Sequence, residues 1–131
     1  MPVAPVASGE LSARERADLD KVIRAAEQAS RVEFSLFRGV SEGDPKAFAQ
    51  SLHASLAAPD RSVLIMVDPL RRVVEVVTGA DVRRTLTDAE AGLAVVAMQT
   101  AFAEGDEVGG LKRGINLLAE HARAPRSNHT A

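Results

Sequence analysis

Ser62-Val63-Leu64-Ile65-Met66-Val67 is the stretch whose reading decides the fold. After its serine the run is continuously apolar and offers neither face to water, so it reads as a central strand covered on both sides. Asp68-Pro69-Leu70-Arg71-Arg72 follows as a tight turn. Val73-Val74-Glu75-Val76-Val77-Thr78 is rich in β-branched residues and pairs with the first run as a hairpin. Upstream, Val32-Glu33-Phe34-Ser35-Leu36-Phe37 alternates as a short strand stopped by Gly39. Between the two, residues 38–44 form a polar loop, and Asp44-Pro45 opens a helix with a capping carboxylate and a proline in first position. Phe48, Leu52, Ser55 and Leu56 mark that helix's inward face, and Pro59 lies just past its end. A strand–helix–strand unit of this kind predicts a right-handed crossover with parallel strands.

Helices flank this centre. Ser12 and Glu15 form a capping box, and Leu19, Val22, Ile23, Ala26 and Ala29 recur at helical spacing, predicting a helix over 12–29. A short helical turn at 81–84 precedes a second capping box, Thr87 with Glu90. Leu93, Val96, Ala97 and Thr100 then mark a helix that ends near Ala103, with Gly105 as its stop. Val108, Leu111, Ile115, Leu118 and Ala122 give the last helix a clean apolar stripe. The expectation is an α/β domain over residues 11–122, a small mixed β-sheet (parallel crossover plus antiparallel hairpin) sandwiched by about four helices. Residues 1–10 and 123–131 are expected to be flexible tails.

Composition narrows the chemistry. The chain has 131 residues, enough for one core without staples. It contains no cysteine, which removes disulfides, thiolate metal sites and a cysteine nucleophile together. The net charge of −2 and the absence of Trp and Tyr argue against a nucleic-acid surface. No apolar run is long enough to span a bilayer, and Met1–Gly9 does not read as a signal peptide. The sequence reading is therefore of a cytoplasmic protein, a monomer or weak dimer with an unknown protein partner.

Leu86-Thr87-Asp88-Ala89 with Ala91-Gly92, then Phe102 with Glu104-Gly105-Asp106, then Gly110-Leu111 with Gly114-Ile115 resemble the TPM domain, named after thylakoid-lumen photosystem-repair proteins. Val67-Asp68 and the strand Val73–Gly79 fall where that family has theirs, and the chain looks most like its small actinobacterial cytosolic branch. The resemblance implies a mixed sheet between helices. It also implies weak acid-phosphatase activity or bound calcium in some members, and an accessory or interaction role in others. The family's Gly-Tyr-Gly after the third strand is Gly79-Ala80-Asp81 here, and a position often acidic in the family is Arg83.

Two separate clusters are candidate sites, because ligands in open α/β sheets favour the carboxyl ends of parallel strands. That edge gathers Arg38, Ser41, Glu42 and Asp44 with Asp68, Arg71 and Arg72. Asp68 and Arg71 are the catalytic candidates of a metal-assisted phosphomonoesterase, with Asp68 holding Ca²⁺ or Mg²⁺. The competing reading is local: Asp44 caps a helix, Asp68 opens a turn and the arginines are solvated. The other end carries Arg61, Asp81, Arg83, Arg84 and Asp88, roughly 20 Å away across a six-residue strand. Asp81 and Asp88 are metal candidates, but the adjacent arginines predict intramolecular salt bridges instead. Glu104, Asp106 and Glu107 form an acidic turn at a helix start. His53, His121 and His129 are scattered, with His121 expected on its own helix's last carbonyls. Asn128-His129-Thr130 is a chance glycosylation sequon. No nucleophile, base and metal set is assembled by spacing. The leading expectation is a non-enzymatic accessory or interaction domain, with small-residue faces such as Ala54, Ala57, Ala58, Ala91 and Ala94 open to a partner.

Overall fold

The computed structural model describes residues 9–123. The segments 1–8 and 124–131, most of both expected tails and the sequon with them, lie outside the described residues.

Strands β1 (Glu33–Arg38), β2 (Ser62–Asp68) and β3 (Val73–Thr78) form one sheet in the order β1-β2-β3. β1 runs parallel to β2 with Phe34 opposite Val63, and β2 runs antiparallel to β3 with Ile65 opposite Val76. All seven residues of β2 are buried, as a strand with no polar face requires. Alternation then sorts them. Val63, Ile65 and Val67 enter the main core, while Leu64 and Met66 enter a smaller one on the opposite face.

Helix α2 (Pro45–Ala54) covers that smaller core with Ala49, Phe48 and Leu52. Asp44 caps it by accepting from the Ala47 amide at 2.9 Å. On the main face lie α1 (Ala13–Ser30), α3 (Asp88–Ala103) and α4 (Glu107–Ala122). Both expected capping boxes are present: Ser12 with Glu15 opens α1, and Thr87 with Glu90 opens α3. Leu111, Ile115 and Leu118 of α4 are fully buried.

The face of α3 differs from the expected one. Ala91, Ala94, Met98 and Ala101 are buried, whereas Leu93 and Val96 are 60% and 58% exposed. Ala91 and Ala94 are therefore internal and present nothing to a partner. The reason is close helix contact. A Cβ on Gly114 would lie 2.5 Å from Met98 Sδ, and one on Gly110 would lie 2.8 Å from Ala101 Cβ. The glycine side of α4 thus selects the small-residue side of α3. Because α3 is apolar all round, spacing alone does not tell its two sides apart.

Candidate functional site

At the carboxyl end of β1 and β2 the structure brings together Ser41, Asp68 and Arg71. Asp68 terminates β2 and is completely buried. Its Oδ2 accepts from the Ser41 amide and the Ser41 hydroxyl, both at 2.7 Å. Its Oδ1 accepts from the amides of Leu70 at 3.1 Å and Arg71 at 3.2 Å. A carboxylate offers about four lone-pair sites, and four donors occupy them. Burial pushes this carboxyl up, but the two bonds from Ser41 and those from Arg71 and Leu70 outweigh it and hold it below its ordinary value. Arg71 Nη1 closes the ring on Ser41, at 2.9 Å to the hydroxyl and 3.3 Å to the carbonyl. The arrangement clamps the loop after β1 to the hairpin turn after β2. It leaves Asp68 no free oxygen lone pair for a metal ion or a nucleophilic attack.

Arg38 departs from the grouping the sequence suggests. It forms a two-pronged ion pair with Glu107 at the start of α4, the second prong being Nη2 to Oε1 at 3.0 Å. The hydrogen bond from Glu107 raises the guanidinium above its ordinary value, against the opposing effect of burial. Beside the pair a cleft of 260 Å³ opens between the β2–β3 turn and the C-terminal end of α3. Val67, Val73 and Phe102 form its apolar wall, with Gln99, Arg72 and Glu107 at its edges. Arg72 stands there in the left-handed region, φ 58°. Glu42 and Asp44 are exposed and take no part in the clamp.

At the opposite end, Gly79 approaches the 3₁₀ turn Pro59–Arg61 so closely that a Cβ would fall 2.0 Å from the Pro59 carbonyl oxygen. The Asp81 amide then donates to Asp60 at 2.9 Å, and Arg83 donates from its side chain to the Thr78 carbonyl. The expected salt bridges are absent: among the described residues neither Asp81 nor Asp88 has an ion pair, and Arg61 pairs with Glu33 at 3.1 Å. Asp88 sits in the first turn of α3, where negative charge is favourable. Among the described residues no group of three or more His, Asp or Glu side chains is arranged to hold a metal ion.

The two described histidines, His53 and His121, serve structure, and His129 lies outside the described residues. His53 is buried with Nε2 3.0 Å from the Ser62 carbonyl oxygen. His121 meets Glu90 of the α3 cap, Nδ1 to Oε2 at 3.3 Å, instead of its own helix's carbonyls. The hydrogen bond from the Thr87 amide leads the effects that hold the Glu90 carboxyl below its ordinary value, with His121 contributing.

Fold and clefts together define a small three-layer α/β domain whose two sheet ends differ sharply in chemistry. The chain belongs to the DUF5130 family, a domain of unknown function whose profile matches residues 4–119. It is 33% identical over 101 residues to the uncharacterized proteins Rv2468c and MT2543 of two Mycobacterium tuberculosis strains. That match covers 77% of this chain but 60% of theirs, so the chain spans less than two thirds of those relatives. Among solved structures the BA42 protein of Bizionia argentinensis is similar in fold, with TM-score 0.77 and 22% identity over 87% of this chain and 82% of that one. The N-terminal domain of a P. gingivalis protein is similar too, at TM-score 0.75 and 18% identity over 86% and 76%. So is that of cg2496 from Corynebacterium glutamicum, at TM-score 0.70 and 16% identity over 95% and 86%.

The DUF5130 match corrects the TPM resemblance. The phrases that carried it have structural work here: Thr87 caps α3, Gly105 at φ 84° ends its last turn, and Gly110 and Gly114 admit α3 onto α4. Phosphatase activity and calcium binding lose the support of that resemblance, and what remained for them was the residue grouping of Asp68 with Arg71 and of Asp81 with Asp88. No helix among the described residues is long and apolar enough to cross a membrane.

Proposed function

We propose that this domain acts by binding a protein partner rather than by catalysis, and that the outer face of α3 receives it. The observation that supports this reading is the exposure of Leu93 and Val96, one turn apart on a helix that is apolar on both sides. Single exposed apolar residues are ordinary, but two adjoining ones on a helix flanked by Gly92 and Ala89 make a smooth, self-consistent surface. Charge indicates the kind of partner. From Thr85 to Leu111 the chain has no lysine or arginine, and Asp88 and Glu104, exposed at the two ends of α3, have no ion pair among the described residues. An apolar helix flanked by basic residues is the complementary occupant.

The test uses a labelled amphipathic Leu/Lys helical peptide and fluorescence anisotropy. Wild type binds it saturably, and Leu93→Ser with Val96→Ser weakens binding at least tenfold while the melting temperature is unchanged. Binding that ignores the substitutions overturns the proposal, as does dimerisation abolished by them, which would give the face to a second copy. Turnover of p-nitrophenyl phosphate with Mg²⁺ that is lost in Asp68→Ala would overturn the non-catalytic reading.

A further inference from the structure

The other end of the sheet has the opposite electrostatic character. A cleft of 480 Å³ lies between the end of α1, the 3₁₀ turn Val82–Arg84 and the end of α4. Arg31, Arg61, Arg84 and Arg123 line it, facing one carboxylate, Asp81. In a chain of net charge −2, four arginines lining a single cleft run against the overall composition. Among the described residues, Arg31, Arg84 and Arg123 have no ion pair. Arg61 is engaged only with Glu33 in a pair about half exposed on both sides. Such a pair holds its guanidinium weakly and gives it up readily to a stronger acceptor.

The backbone assembles this cluster. Thr85 Oγ1 donates to the Ala122 carbonyl at 2.8 Å, which fixes Arg84 beside Arg123. The hydrogen bond from the Asp81 amide to the Asp60 carbonyl sets the second 3₁₀ turn against the first, which carries Arg61. Arg31 occupies the left-handed position after α1, φ 64°, where glycine is the usual residue. Part of the positive charge balances the C-terminal ends of α1 and α4, which open here and carry about half a negative charge each. Four arginines exceed what those two ends and Asp81 require. Buried Val32 and Val82 supply an apolar wall beyond the charges.

We infer that this cleft binds a small organic phosphate: the arginines take the phosphoryl oxygens in forked pairs, and the apolar wall and the Thr85 hydroxyl meet the body of the ligand. Calcium is disfavoured there, because one carboxylate among four guanidiniums cannot hold a divalent cation. Nucleic acid is disfavoured because the basic surface is a closed cluster without an aromatic platform among its lining residues.

The experiment is an amide chemical-shift titration of the whole chain with glucose 6-phosphate, inorganic pyrophosphate, glucose and CaCl₂ in parallel. Saturable shifts centred on Arg31, Asp81–Thr85 and Arg123 with the two phosphates, and none there with glucose, are expected. Arg84→Gln with Arg31→Gly should weaken the response about tenfold or more; glycine suits the backbone at 31, so folding is kept. Arg113→Gln, exposed on α4 and outside the cleft lining, should leave it unchanged. The inference fails if 10 mM phosphate ester gives no saturable shift, if the double variant binds as wild type does, or if CaCl₂ moves the same amides. Binding of a single-stranded oligonucleotide more tightly than glucose 6-phosphate, lost in the double variant, would also overturn it.

Discussion

Replacing Asp68 by Asn isolates the charge of the clamp while keeping its shape. The wild-type carboxylate accepts four hydrogen bonds in a site with no solvent access. An amide keeps one oxygen, which can stay with the Leu70 and Arg71 amides. Its NH₂ group then faces the Ser41 amide, donor against donor. The Ser41 hydroxyl can rotate to accept, but the Ser41 N–H cannot, and a buried donor left unpaired costs about 1–3 kcal/mol. Loss of charge assistance on the remaining bonds brings the expected destabilisation to about 2–4 kcal/mol, on the order of 10 °C in Tm for a domain of this size. With no Trp or Tyr in the chain, urea unfolding followed by far-UV circular dichroism is the suitable assay. pH supplies an internal control. The folded Asp68 carboxyl lies below its ordinary value, so its stabilisation is fully present above the unfolded value of about 4 and is lost as pH falls through the folded value. The gap between wild type and Asp68→Asn must therefore narrow on acidification below about pH 4. A variant within about 0.5 kcal/mol of wild type at pH 7, or a gap that widens in acid, refutes the clamp.

Gly79→Ala should destabilise by about 3 kcal/mol or more, because its Cβ would meet the Pro59 and Asp60 carbonyls, whereas Gly114→Ala meets the movable Met98 side chain and should cost less; paired urea curves decide the order. Glu107→Gln removes the two-pronged charged partner of Arg38 while the more distant Glu10 and Glu15 remain, and should cost about 1.5–3 kcal/mol. Replacing Arg38 and Glu107 together by Met and Leu should cost less than that single change, as thermal melts would show. Thr87→Ala removes the acceptor for the Glu90 amide and should cost about 1 kcal/mol, read by thermal melting.

The strands were legible because β2 has no polar face and β3 is a run of β-branched residues, so their order and pairing followed from pattern alone. The helix starts were legible because a cap is a local signal: Ser12 with Glu15, Asp44 with Pro45, and Thr87 with Glu90 all act within four residues. What lay beyond reach is contact over long separation. Arg38 and Glu107 meet across 69 residues, and nothing in the sequence near either announces the other. His121 finds Glu90 in the same way. The orientation of α3 failed for a different reason: with apolar residues on every side, periodicity gives a helix but no inward direction, and only the glycines of α4 break the tie. Asp68 was legible as a turn-former and as an acid at the expected edge. Its burial and its saturation by Ser41, 27 residues away, were not.

The full hydrogen bonding of Asp68 bears on how the domain can work. An acid at the carboxyl end of a parallel strand invites a catalytic reading, yet here two of its hydrogen bonds hold the loop after β1 and two hold its own hairpin turn. A group fixed so completely cannot change ligands during a reaction without opening the sheet edge. The groups left free lie elsewhere: an exposed apolar α3 face, and at the other end of the sheet Arg31, Arg84 and Arg123, which have no ion pair among the described residues. The two surfaces share no side chain, so each can bind without competing with the other. A domain so arranged is suited to join a partner on one surface with an anionic ligand on another. Coupling between them has a physical route through α4, which packs on α3 by Gly110 and Gly114 and ends at the arginine cleft.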